Sequence, residues 1–176
     1  MQLQGNKSMK GYTLMKAERT ERAYTLIEIL VVLTVIGILF GAGFVGYRDF
    51  SRRQALAGAV KLVNGDLRVA QQNALSGTKP TGAACGGTQT LSGYYFRVVS
   101  TTRYQIQAFC SGGSITTNDI NMPPNITIST PSPNPILFKV LGMGTNIPAG
   151  GASITLTQGF TGQTQVILIG SGGDIK

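Results

Sequence analysis

The sequence predicts an α+β fold: a long N-terminal transmembrane and amphipathic helix packed on an antiparallel β-sheet domain. Three observations lead there. Residues 24–47 are an apolar run with one charge, Glu28. Residues 48–78 keep apolar side chains at helical spacing. Beyond Pro80 the chain turns to short, β-branched and aromatic segments separated by Thr, Gly, Asn and Pro clusters.

Residues 1–23 read as a polar, basic leader with no apolar periodicity. Lys7, Lys10, Lys16, Arg19 and Arg22 stand against Glu18 and Glu21. Residues 24–47 then predict a membrane-spanning helix half. At about 1.5 Å per residue, about 20 apolar residues cross the hydrocarbon core. A secretory signal has a shorter apolar core and a small-residue cleavage site after it, and neither is found here.

Residues 48–78 predict the amphipathic half of the same helix. Leu56, Val60, Val63, Leu67, Ala70 and Ala74 recur at spacings of three and four, the stripe of a helix with one buried face. Gly77 and Pro80 signal its end. Gly37, Gly41, Gly43 and Gly46 mark a soft spot where the helix is free to bend. Arg48, Arg52 and Arg53 follow the apolar run and read as a border of snorkelling cations.

Residues 79–176 predict the β domain. Segments 93–99 and 103–109 form a hairpin around a Ser-Thr-Thr turn. Further strands are expected at 126–130, 135–141, 153–158 and 164–170, with Gln158–Gly162 as the turn of a late hairpin. The helix lays its stripe on the sheet, so that each covers the other.

Composition narrows the function. Charged residues make up 12% of the chain, about half the usual share of roughly 25%. There is no His, and after Glu28 the acids are Asp49, Asp66, Asp119 and Asp174. That inventory offers little to acid–base, nucleophilic or metal chemistry, so neither an enzyme nor a cofactor or metal is expected. The net charge is +8, but the basic residues cluster on either side of the apolar run. A DNA surface wants a dense basic stripe. In the C-terminal part only Arg97, Arg103, Lys139 and Lys176 are available to form one, so DNA as a partner has no support in the pattern.

One motif carries more. Ala23 is followed by Tyr24-Thr25-Leu26-Ile27-Glu28 and the apolar run. This resembles the cleavage and methylation signal of type IV prepilins and pseudopilins, with Ala23 standing where that family has glycine. The resemblance implies cutting between Ala23 and Tyr24 by a prepilin peptidase and N-methylation of Tyr24. It also implies assembly with other pilin or pseudopilin subunits through an inner-membrane platform. The chain is then a single-pass membrane protein in the bilayer, with its β domain outside. The basic leader favours the cytoplasmic side.

Glu28 admits two readings. As the third residue after Thr25 it completes a capping box and suits the helix dipole. In the family, the matching Glu pairs with the N-terminal amine of a neighbouring subunit. Cys85 and Cys110 lie in Gly-rich loops flanking the first hairpin. An extracytoplasmic location permits a disulfide between them, worth roughly 3 kcal/mol; the alternative is two free thiols.

Asp66-Leu67-Arg68-Val69-Ala70, Ala74 and the closing run from Ser153 to Ile175 also resemble GspH/FimT-like minor pilins and pseudopilins. The implied roles are a minor pilus subunit, a type II secretion pseudopilin, or a DNA-uptake pilus component. An uncleaved membrane-anchored β domain is a separate alternative. Gly11-Tyr12-Thr13-Leu14 echoes the motif, but no apolar run follows it. Translation starting at Met15, rather than Met1 or Met9, leaves a nine-residue leader.

Overall fold

The computed structural model describes residues 24–176. The leader, Ala23, the echo at Gly11–Leu14 and the three candidate start residues lie outside the described residues. The chain divides into two compact units between Ala42 and Gly43.

Helix α1 runs through Leu26–Ser76 as one element, the four glycines of the expected soft spot included. A Cβ on Gly37, Gly41 or Gly46 would meet nothing within 4 Å. Among the described residues, no packing therefore calls for a small residue at these three positions. The helix ends on Gly77 at φ +63°. Gly77 N–H donates to Ala74 O at 3.2 Å, and Thr78 N–H to Asn73 O at 3.1 Å. This paired closure satisfies carbonyls of the last turn and needs a residue tolerant of positive φ.

Seven strands follow. They are β1 (Leu91–Ser100), β2 (Arg103–Cys110), β3 (Gly113–Asn121), β4 (Ile126–Ile128), β5 (Ile136–Lys139), β6 (Ala152–Gln158) and β7 (Thr164–Ile169). All pairings are antiparallel, but they make two sheets, ordered β3-β2-β1-β5 and β4-β6-β7. The 126–130 segment is shorter than expected. The 135–141 segment leaves the sheet after Lys139 for a 3-10 turn at Val140–Gly142.

Strand β3 has no counterpart in the sequence reading. Its side chains are mostly exposed and polar, with Ile115 and Ile120 half-buried. An edge strand of this kind shows no alternation to find. It also carries an irregularity opposite Ile106 and Gln107, where Thr117 hydroxyl donates to Ile106 O. The other edges are short or occupied. Beside β5, Leu137 N–H donates to Asn146 Oδ1, and Asn146 Nδ2 donates to Pro135 O. Beside β7, Leu168 and Lys176 exchange both backbone hydrogen bonds.

One core joins the helix to both sheets. Leu56, Ala59, Val63, Leu67, Ala70 and Ala74 supply the helix stripe, with Ala59 fully in it and Val60 only partly covered. Tyr94, Phe96, Tyr104, Ile106 and Phe138 face it from the first sheet, and Ile126, Ile154, Leu156 and Ile167 from the second. Cys85 and Cys110 are joined across 5.3 Å between Cα atoms and are both buried. Cys110 is the last residue of β2 rather than part of a loop. The bridge fastens the segment after the helix to the sheet.

Candidate functional site

The N-terminal end of α1 is where the sequence motif lies. Thr25 immediately precedes the helix, and its Oγ1 accepts from Glu28 N–H at 3.3 Å. The side-chain cap therefore forms in one direction. The reciprocal bond from the Glu28 carboxylate is not made, and among the described residues this carboxylate has no hydrogen-bond or ion-pair partner. Glu28 and Tyr24 are both exposed, Tyr24 to 71%.

From Leu26 to Phe40 every large apolar side chain is exposed. Thr34 hydroxyl returns to Val31 O at 2.8 Å, so it presents no unpaired polar donor to an apolar partner. The helix is long and apolar enough to cross a membrane, with none of its apolar window buried. An apolar helix with every face open is a membrane span or a surface for other helices. One acid at its start is the sole charge along that surface.

Other polar groups tie the helix to the β domain. Tyr104 Oη donates to Asp66 Oδ2 at 2.5 Å, and Gln71 Nε2 donates to Gly173 O at 3.1 Å. Sequence reasoning missed the first pair. Its signal was that an inward position of β2 holds a tyrosine, whose hydroxyl needs a partner when buried. Burial, then the Asp66 hydrogen bond and charge, push the Tyr104 phenol well above its ordinary value.

The sign follows. Above pH 10 the unfolded chain releases this proton while the folded chain keeps it, so stability falls as pH rises. Tyr104→Phe is expected to cost about 1–2 kcal/mol at pH 8, because Asp66 loses its donor. It should also lose less between pH 8 and 11 than the wild type. Urea unfolding of the detergent-solubilised chain at both pH values checks this. Equal losses would mean that Tyr104 does not govern the alkaline limb.

Two of the four cations that a DNA surface would recruit are held by acids. Arg103 is bonded to Asp119 and Lys176 is paired with Asp174. Arg97 lies four residues along β1 from Gly93, the partner of Lys139, which separates the two by about 13 Å. Hydrogen bonds from Arg103 and then Gln105 hold the exposed Asp119 carboxyl at about 2. Solvent screens that pair, so it contributes little to stability.

The model of the prokaryotic N-terminal methylation motif matches residues 19–44. No curated protein and no solved structure matches the chain. The match takes in Tyr24, Thr25, Glu28 and most of the exposed apolar helix.

Proposed function

We propose, from the premise that this chain is a type IV prepilin- or pseudopilin-like precursor, that it serves as a minor structural subunit of a type IV pilus or type II secretion filament. The observation that supports this reading is the contrast along one helix. From Leu26 to Phe40 every large apolar side chain is exposed, while the half beyond buries its stripe in the β domain. The second half is used up within the subunit. The first half is left for the bilayer and then for its counterparts in other subunits.

In this reading, residues 1–23 are a cytoplasmic leader, 24–47 the membrane half of the helix, 48–78 its amphipathic half and 79–176 the extracytoplasmic domain. Prepilin peptidase cuts between Ala23 and Tyr24, and the new Tyr24 amine is methylated. The subunit stays in the membrane until an assembly platform extracts it. Apolar helices then pack by van der Waals contact in the filament core, with the β domains outward. Glu28 pairs with the Tyr24 amine of a neighbour and sets the axial register. The subunit does mechanical work and no chemistry.

Mass spectrometry of the membrane-extracted protein, with and without the peptidase, tests this. A methylated Tyr24 N-terminus only when the peptidase is present is the expected result. An intact leader in both conditions would leave an uncleaved membrane anchor, and the filament role would be lost.

A further inference from the structure

Apart from the motif, the most unusual surface lies where the apolar run ends. Tyr47, Arg48, Ser51 and Arg52 of α1 line a groove with Asn125 and with Phe160 of the β6–β7 turn. Phe160 is 64% exposed, yet its turn is firmly built. Gln158 is buried, and its Oε1 accepts from Phe160 N–H at 2.8 Å, Thr161 N–H at 2.7 Å and Thr161 Oγ1 at 3.0 Å. Gly159 N–H donates to Asn125 O at 2.8 Å. The turn holds the phenyl ring largely in water, with Arg52 its cationic partner.

The neighbours of that ring are cationic and aromatic. The Arg52 guanidinium lies over it, 4.9 Å from the ring centroid, and Arg48 lies 5.7 Å from the Phe44 centroid. Tyr47, also exposed, lines the same groove. The acid nearby is Asp49, in an exposed pair with Arg52 at 3.4 Å. Arg48 and Arg52 are the cations that line the groove. Exposed aromatic rings and arginines at the end of an apolar span are the composition of a membrane–water interface.

We infer that the β6–β7 turn and the helix segment Tyr47–Arg52 form a seat for anionic lipid headgroups. Arg48 and Arg52 take the phosphodiester and Phe160 enters the interfacial layer. This rests on the reading of residues 24–47 as a membrane anchor. Charge complementarity, and the place of Tyr47–Arg52 directly after the apolar run in sequence, favour lipid. Two arginines are too few to make a nucleic-acid track. The β domain thus touches the outer leaflet through one hairpin before extraction, and release of that contact accompanies assembly.

The chain has no tryptophan, so Phe160→Trp gives a unique probe. The full-length variant would be reconstituted in phosphatidylcholine vesicles, with and without about one-third phosphatidylglycerol. The expected emission is blue-shifted and quenched by lipids brominated near the glycerol end of the acyl chain, more strongly in the anionic vesicles. Adding Arg48→Gln and Arg52→Gln should bring that quenching down to the neutral-vesicle level. Phe160→Cys carrying a nitroxide reports the same position by power saturation should the indole disturb the turn.

Solvent-like, unquenched emission in chains that co-float with both vesicles would overturn the seat while sparing the anchor. Failure to co-float would bring down the anchor reading and the seat with it. A spectral shift caused by duplex DNA, without lipid quenching, would reassign the groove to nucleic-acid phosphates and also overturn the proposal.

Discussion

Replacing Glu28 by alanine is expected to leave cleavage before Tyr24 intact and to remove the subunit from filaments. The physical argument turns on dielectric. A lone carboxylate among apolar helices costs roughly 2.5–3.5 kcal/mol even on the mild insertion scales, so alanine alone would favour an apolar core. Packing without register should then accept Glu28→Ala as well as the wild type, or better. The proposed role predicts the reverse. Removing the carboxylate leaves an uncompensated amine on the neighbouring subunit, and breaking a buried pair costs about 3–5 kcal/mol. Incorporation should fall by at least about a hundredfold. Immunoblots of sheared filaments against membranes would read it, with the N-terminal mass confirming that cleavage had occurred. Wild-type incorporation would end the register role while leaving the cleavage reading untouched.

Leu67→Ala should cost the β domain about 2–5 kcal/mol, the range for deleting a buried leucine side chain. Leu67 is 0% exposed and lies between Val63 and Ala70 on the stripe shared by both sheets. Against a total stability of about 5–15 kcal/mol, this removes a large fraction. Leu62 is a control on the same helix: it is 42% exposed, and Leu62→Ala should cost well under half as much. Denaturant midpoints of the two variants compare them. Similar costs would mean that the stripe does not hold the helix to the sheets as described.

The helix was legible because its evidence is local. Apolar spacing from Leu56 to Ala74 and the Gly77 stop are properties of neighbouring residues, and they mark the amphipathic half of α1 and its close at Ser76. Strands β1, β2, β6 and β7 were legible for the same reason, since inward positions such as Phe96, Val98, Ile106 and Ile154 alternate with outward ones. Strand β3 was not, because an edge strand with few buried side chains has nothing to alternate. The division into two sheets was also hidden, since pairing partners such as Ile128 and Leu156 are chosen by tertiary packing. At the site, the motif around Tyr24 and Glu28 could be read from the chain alone. The stacking of Arg52 on Phe160 could not, because neither residue carries any mark of the other.

The treatment of the sheet edges has a consequence for how copies of this subunit can join. Strand β3 is irregular at Thr117 and carries the Asp119 carboxylate, β4 has three residues, Asn146 occupies the flank of β5, and Lys176 closes the end of β7. Short, bulged, charged or covered borders resist strand addition from a second molecule. Copies of this chain are thus steered away from joining edge to edge, the route by which cross-β aggregates form.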